Sequence, residues 1–256
     1  MKFQLVRHAT LWLNYGGYNI LVDPMLGEAG VYPPIVKTPN NKRNPLISLP
    51  FPIDYWLKPD IIIVTHLHND HWDPEAVDKL PKSTPILCQP GNEKVLQAVG
   101  FQSVTPITDK LKVHSILLTR TNGKHGKGVI RKLTGNVSGF ILQAEGEPKL
   151  YIAGDTVWCS DVREALGAHH PDITVVNAGG ARFVMGEPIT MDDHDVVILC
   201  RYAPDTKVIA VHMDAINHCL VTRSDLRERL EMEKLADQVF IPEDGQWIDF
   251  FVNCYL

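Results

Sequence analysis

Cysteine is scarce in this sequence of 256 residues, and the cysteines that occur are scattered. No C-x-x-C pair is present, which argues against a thiolate zinc site and against a disulfide framework. We therefore expect reduced thiols and a cytoplasmic location. The five cysteines are Cys88, Cys159, Cys200, Cys219 and Cys254.

Long apolar runs and a surplus of positive charge are also missing. No apolar stretch approaches the length of a membrane span, and Met1–His8 lacks the apolar core of a signal peptide. The formal net charge is −5, which argues against a general nucleic-acid-binding surface, because such surfaces are basic. The absence of a G-x-S-x-G elbow removes the usual sign of a serine hydrolase. The 45% of hydrophobic residues suffice for a sizeable core.

What the sequence does contain is a dense polar cluster, Thr65-His66-Leu67-His68-Asn69-Asp70-His71-Trp72-Asp73. It follows the apolar run 61–64, which predicts a buried strand, and it precedes a predicted helix with Asp73 as N-cap and Pro74 as first residue. His66 and His68 point the same way if the strand geometry continues. Because neutral imidazole is the commonest metal ligand, the cluster predicts a metal site that suits two adjacent ions. The alternative is a polar turn that happens to be rich in histidine.

Strands and helices alternate along most of the chain, which predicts an α/β (α+β) fold of two packed sheets with helices outside. A single domain is expected over residues 1–256. Strands are predicted at 2–7, 10–15, 18–22, 61–64, 85–88, 103–107, 111–119, 137–144, 149–153, 173–176, 207–211, 239–241 and 247–252. Helices are predicted at 74–80, 91–99, 160–167, 192–202 and 225–236, with a capping box at Thr190 and Asp193. Residues 24–59 show no period, and we expect a long irregular segment that covers other parts of the fold.

Three further residues stand where a predicted strand or a glycine-flanked loop ends. Asp155 follows the strand that ends near 153, His212 follows strand 207–211, and His125 lies between Gly123 and Gly126. Each has an ordinary alternative, as a helix N-cap, a histidine at the core edge or a solvated loop residue respectively. Together with the cluster at 65–73, they complete two ligand sets of nitrogen and oxygen atoms.

The pattern His66-Leu67-His68-Asn69-Asp70-His71, followed by His125, Asp155 and His212, resembles the metallo-β-lactamase-fold hydrolase superfamily over nearly the whole chain. The opening 7–10, with 16–17 and 20–24, looks like the branch of L-ascorbate-6-phosphate lactonase and N-acylphosphatidylethanolamine phospholipase D. The chain departs from the family pattern at Arg7, where Gly is frequent, and in its unusual segment 24–59. The resemblance implies a four-layer αβ/βα sandwich with metals at one end, between the sheets.

The resemblance also implies a role for each matched residue. The first ion would be held by His66, His68 and His125, the second by Asp70, His71 and His212, with Asp155 bridging both. Asp23 would accept a hydrogen bond from a ligand imidazole. Zinc is the ion expected first, with manganese or iron as alternatives. A metal-bridging hydroxide would attack a carbonyl carbon or a phosphorus. Asp70 is counted both among the metal ligands and among the catalytic residues.

Two histidines and a basic loop are further candidates. His218 or His8 could supply a proton to the leaving group, and a structural role is the ordinary alternative for each. Arg120, Lys124 and Lys127 belong to a basic, glycine-rich stretch around His125. They could hold an anionic group of the substrate, or form an ordinary solvated loop.

The sequence thus predicts a dinuclear metal-dependent hydrolase of a small anionic molecule, such as a lactone, an ester or a phosphodiester. One alternative is a nuclease of the tRNA-processing type, against which the acidic net charge counts. Another is a di-iron oxidoreductase, which typically has Glu at the position of His68. No nucleic-acid partner and no transmembrane segment are expected, and a homo-oligomer is left open.

Overall fold

The computed structural model describes residues 1–250, so Cys254 and the end of the predicted strand 247–252 lie outside the described residues. The strands are β1 (Lys2–Arg7), β2 (Thr10–Tyr15), β3 (Tyr18–Val22), β4 (Ile61–Val64), β5 (Ile86–Cys88), β6 (Val104–Pro106), β7 (Lys110–Val113), β8 (Ile116–Asn122), β9 (Ser138–Gln143), β10 (Leu150–Ile152), β11 (Ile173–Asn177), β12 (Lys207–Val211), β13 (Val239–Phe240) and β14 (Trp247–Asp249). The α-helices are α1 (Pro74–Lys79), α2 (Glu93–Ala98), α3 (Ile130–Thr134), α4 (Ser160–His169), α5 (Asp193–Tyr202) and α6 (Arg223–Met232).

These strands form two seven-stranded mixed sheets, in the orders β14-β1-β2-β3-β4-β5-β6 and β13-β12-β11-β10-β9-β8-β7. In the first sheet β3 to β6 are parallel, and in the second β10 to β13 are parallel. The carboxyl ends of neighbouring parallel strands meet at one edge of a sheet, where binding sites commonly form. The loops after β4, β10 and β12, which carry the predicted ligands, therefore leave the sheets at such edges.

Three apolar clusters separate the layers. Alternate residues of β4 face opposite sides, so that Ile61 and Ile63 pack between the sheets while Ile62 and Val64 pack beneath α1 and α2. The outer face of the second sheet packs against α4, α5 and α6. A strand buried on both faces needs an apolar residue at every position, which explains the unbroken run in β4. The predicted four-layer sandwich is confirmed.

The segment between β3 and β4 contains one 3-10 helix, Ile53–Trp56, and an isolated bridge between Tyr32 and Asn44. Trp56 is buried against the first sheet, and its Nε1 donates to Gln4 Oε1 at 3.1 Å. Among residues 1–250, no helix is both long enough and apolar enough to cross a membrane.

Arg7 ties this segment to the end of β1. Its side chain is fully buried, and its guanidinium donates to the carbonyl oxygens of Ile47 at 3.0 Å, Met25 at 2.8 Å and Gly27 at 2.9 Å. Hydrogen bonds from a charged donor are stronger than neutral ones. The departure at Arg7 and the unusual segment 24–59 are therefore physically connected.

In the second sheet and its helices, two predicted elements differ from those in the structure, and one helix was not predicted. The strand predicted at 111–119 is a hairpin, because the chain reverses at His114, whose φ of 54° lies in the left-handed region, and continues antiparallel as β8. Helix α3 was not predicted, since five residues are too few to show a helical period. Helix α6 begins and ends earlier than the predicted range 225–236.

The capping box predicted at Thr190 and Asp193 is wrong. Helix α5 is capped by Asp192, whose side chain accepts from the backbone N–H of Asp195, while Thr190 Oγ1 accepts from the backbone N–H of Ala181. Helix α6 instead has a reciprocal capping box, between Thr222 and its own N3 residue. The same local pattern thus occurs twice, and tertiary contacts decide which copy forms a cap.

Candidate metal centre

The turn after β4 has the predicted form. The backbone N–H groups of His71 and Trp72 both donate to the His68 carbonyl, at 2.9 and 2.8 Å. Asp73 caps α1 by accepting from the backbone N–H of Ala76 at 2.8 Å, and Pro74 is the first helical residue. This compact turn directs four polar side chains, from His66 to His71, to the end of the sandwich.

The structure brings the predicted ligands together in two sets. In the first set, His66, His68 and His125 offer nitrogen atoms that lie within 4.8 Å of one another. The separation between His66 Nε2 and His68 Nδ1 is 3.0 Å. In the second set, Asp70, His71 and His212 offer ligand atoms that also lie within 4.8 Å of one another, and an imidazole nitrogen of His8 belongs to the same group.

Asp155 lies between the two sets. Its Oδ2 is 3.7 Å from His66 Nε2 and 3.4 Å from His125 Nε2, which belong to the first set. Its Oδ1 is 3.3 Å from the Nε2 atoms of both His71 and His212, which belong to the second. Each carboxylate oxygen therefore faces one set, as a bridging ligand requires.

Most of these imidazoles are oriented by a partner on the opposite ring nitrogen. The Nδ1 partners are Thr65 Oγ1 for His66 at 3.1 Å, Asp23 Oδ2 for His71 at 2.8 Å, the Ile189 carbonyl for His125 at 2.8 Å and Cys219 Sγ for His212 at 3.4 Å. Such contacts fix the ring and leave Nε2 free to face the centre. Asp23 is itself held by Thr65, whose backbone N–H and hydroxyl each donate to it at 2.7 Å, and the structure places Asp23 beside His71.

The electrostatic environment of these groups favours the binding of a cation. Burial opposes the charged forms of Asp70 and Asp155, but neighbouring imidazoles outweigh it and hold the pKa of each carboxyl well below its usual range. Burial lowers the pKa of His66 and of His125, so both rings are neutral at pH 7. Burial also opposes the charging of His71, yet Asp155, Asp23 and Asp70 raise its pKa well above the usual value. A proton on His71 would have to leave when an ion binds.

The donor set fits a pair of divalent transition-metal ions. The five predicted imidazole ligands and two carboxylates, all buried except the partly buried His68, lie together without a thiolate, and His8 adds a sixth imidazole beside Asp70. Nitrogen and oxygen donors of this kind suit zinc, manganese or iron. Asp70, Asp155 and Asp23 place three carboxylates at or beside the centre, which would offset much of the charge of two divalent ions.

The two predicted proton donors lie close to the centre. His8 is fully buried, has a φ of 61°, and its Nε2 is 3.2 Å from Asp70 Oδ2. Its ring lies over that of His212, with 3.6 Å between the centroids. His218 is also buried, and burial lowers its pKa to about 4. Its ring is therefore neutral at pH 7 and would donate from a neutral N–H.

The predicted basic residues do not all line the same cavity. Arg120 and Lys124 line a cavity of about 590 Å³ together with Arg131, at the ends of β5, β8 and β9. Lys124 lies directly before the predicted ligand His125, and its Nζ donates to Ser160 Oγ at 2.9 Å. Lys127 is instead exposed and pairs with Glu187 at 2.9 Å.

Sequence reasoning missed two buried asparagines, one that bonds Asp155 and one in the loop after His212. Asn177, at the end of β11, donates from Nδ2 to Asp155 Oδ1 at 2.6 Å, and its place at a strand end was a usable signal. Asn217, buried in the loop after His212, binds the segment 24–59 through a pair of hydrogen bonds with Asn44, at 2.8 and 2.9 Å. The two asparagines of that pair are 173 residues apart, and no local pattern connects them.

The sequence is similar to a known family and to a known protein of Bacillus subtilis. Residues 18–213 match the sequence profile of the family described as "Beta-lactamase superfamily domain". The UPF0173 protein YddR of Bacillus subtilis is 35% identical over 254 residues, which cover 98% of this chain and 100% of the relative.

Two solved structures are similar at the level of sequence as well as fold. An isothiocyanate hydrolase from Delia radicum gut bacteria superposes with a TM-score of 0.94 and 33% identity, covering 98% of this chain and 100% of the other. A possible metal-dependent hydrolase from Veillonella parvula also has a TM-score of 0.94, with 34% identity, 97% of this chain and 98% of the other.

Proposed function

This chain belongs to the β-lactamase superfamily, among its metal-dependent hydrolases, and we propose that it hydrolyses a small molecule at a centre of two divalent metal ions. The observation that supports two ions is the position of Asp155, whose two oxygens each face a separate ligand set at 3.3 to 3.7 Å. We propose zinc as the resident ion, with manganese or iron as alternatives that the same donors accept.

Each of several residues around this centre has a separate proposed role. A pair of ions, when bound, supplies a shared water that is acidic enough to act as a nucleophile near neutral pH. Asp70 and Asp155 offset the positive charge, and Asp23 fixes the orientation of His71 through its 2.8 Å hydrogen bond. His218 and His8 are the proposed donors of a proton to the leaving group.

A metal count on purified protein tests the proposal. Under metal-replete conditions we expect two ions per chain by mass spectrometry, and hydrolysis of at least one member of a panel that contains a lactone, an ester, a phosphodiester and an isothiocyanate. Chelation should abolish that hydrolysis, and readdition of the ion should restore it. A stoichiometry of one ion or fewer would exclude the dinuclear centre.

An anionic substrate is proposed from the cavity of about 590 Å³, whose lining contains Lys124, the residue before His125, together with two arginines and one carboxylate, Asp161. None of the three cations that line it, Arg120, Lys124 and Arg131, forms a salt bridge within residues 1–250. Reversing one charge near a bound anion costs about 1–2 kcal/mol at the dielectric of a solvent-exposed cavity. We therefore expect Lys124→Glu to raise KM for the phosphodiester bis(p-nitrophenyl) phosphate roughly tenfold.

Two matched variants accompany this measurement. Lys127→Glu should have a smaller effect, because Lys127 pairs with Glu187 outside the cavity. Lys112→Glu, on the exposed edge strand β7, controls for net charge. If Lys124→Glu and Lys112→Glu changed KM equally, the cavity would not be an anion site. Added salt should weaken the Lys124 effect.

Isothiocyanate hydrolysis is a second candidate, and one observation favours it. The isothiocyanate hydrolase from Delia radicum gut bacteria is similar over almost the full length of both chains. Addition of water to the central carbon of R–N=C=S would yield the amine R–NH₂ and carbonyl sulfide. Release of amine by the metal-loaded protein, with no hydrolysis of the ester, lactone or phosphodiester, would decide in favour of this candidate.

A further inference from the structure

The most exposed apolar side chains of the described residues are concentrated in three segments. Six large hydrophobic residues expose two thirds or more of their surface, and five of them lie at 36, 129–133 and 184–185. We call these five the apolar rim: Val36 (70%), Val129 (74%), Leu133 (80%), Val184 (67%) and Met185 (83%). Exposed apolar residues that cluster, rather than scatter singly, commonly mark a binding site.

The three segments are in contact with one another. The backbone N–H of Val184 donates to the Lys37 carbonyl at 2.8 Å, which joins the first and third of these segments, at 36 and 184–185. Gly186 lies so close to Ile130 of α3 that a Cβ at this glycine would come within 2.5 Å of Ile130 Cδ1. The three segments that carry the apolar rim are therefore neighbours in the fold.

Each segment is also bonded to the metal centre or to a residue beside it. Thr134, at the end of α3, donates to the carbonyl of the ligand His125 at 2.6 Å. The loop of Val184 and Met185 begins at Arg182, whose backbone N–H donates to the His218 carbonyl at 3.0 Å. The segment of Val36 is held by Asn217, whose Oδ1 accepts from the backbone N–H of Ile35 at 3.1 Å.

We propose that the apolar rim binds an apolar chain of the substrate while the polar, reacting end of that substrate lies at the metal centre. This inference rests on the proposed function and adds a substrate class to it. Because Thr134 Oγ1 is hydrogen-bonded to the His125 carbonyl and the Arg182 backbone to the His218 carbonyl, we place these side chains on the path to the centre. A second copy of the chain or another large partner would cover the same path and block it.

Straight-chain hydroxamic acids test the inference without turnover, because the hydroxamate group binds divalent metals. Calorimetry on the metal-loaded protein would compare acetohydroxamic, butano-, hexano- and octanohydroxamic acids. We expect the Kd to fall about two- to fourfold for each added methylene that reaches the apolar rim, as burial of a CH₂ predicts. In the double variant Leu133→Ser, Met185→Ser this gain should shrink towards onefold, while the Kd of acetohydroxamic acid stays unchanged.

The matched control is Met232→Ser, since Met232 is 65% exposed but lies at the end of α6. It should keep the full dependence on chain length. Binding of acetohydroxamic acid with no gain for longer chains would overturn the apolar rim and leave the metal centre standing. If no hydroxamic acid bound, the metal centre and the inference would both fail. A gain that persists in the double variant, with a change in its sedimentation from dimer to monomer, would assign the surface to a second copy and overturn the inference.

Discussion

Asp155→Asn should remove most of the bound metal and lower kcat/KM by about 10³-fold or more, because the ions generate the nucleophile. The amide has nearly the shape of the carboxylate but lacks its charge. The two oxygens of Asp155 lie within 3.3 to 3.7 Å of nitrogens from both ligand sets, so one substitution weakens both sites. Metal per chain after dialysis, measured beside kcat/KM at a fixed ion concentration, checks the prediction.

The control for this variant is His218→Gln. His218 is buried, as Asp155 is, but it is not one of the grouped ligand residues. This variant should keep two ions per chain, and loss of its proposed proton donation should appear in the pH dependence of kcat. If the Asp155 variant kept two ions and activity within tenfold of the parent, Asp155 would not bridge the centre.

Arg7→Ala should lower the free energy of unfolding by about 3–5 kcal/mol, because it removes a buried charged donor and leaves its partners without hydrogen bonds. Three carbonyls of the segment 24–59 depend on this guanidinium, at 2.8 to 3.0 Å. Urea denaturation of the metal-loaded protein gives the size of the loss. Limited proteolysis should cut first within 24–59, since that segment loses three of its hydrogen bonds to β1.

Two other arginine variants show whether the effect belongs to this site. Arg7→Lys keeps the charge but cannot reach three carbonyls in a fork, so an intermediate loss is expected. Arg201→Ala removes a side chain that is 62% exposed and paired with Glu233, and such exposed pairs contribute about 1 kcal/mol or less. A loss below 1 kcal/mol in Arg7→Ala would mean that the segment is held by its other contacts.

Local signals explain the parts of the fold that could be predicted. The run of four apolar residues in β4, the cap at Asp73 and the proline after it each act within a few residues, and the structure contains them as predicted. Helix α3 was missed because a single turn shows no period, and the break at His114 depends on one left-handed residue inside an otherwise strand-like sequence.

Sequence alone determined which side chains were candidate ligands, since polar groups directly after buried apolar strands stand out locally, and their order resembles a known superfamily. Only the tertiary structure decided that Asp155 faces both ligand sets, that His8 lies against Asp70, and that Lys127 lies outside the cavity of Lys124. The physical reason is the separation along the sequence between the residues that determine each feature. A strand end or a cap is set by neighbours along the chain, whereas these contacts join loops that follow different strands. Those of Asp155 with His66 and His71 exist only once the two sheets have packed.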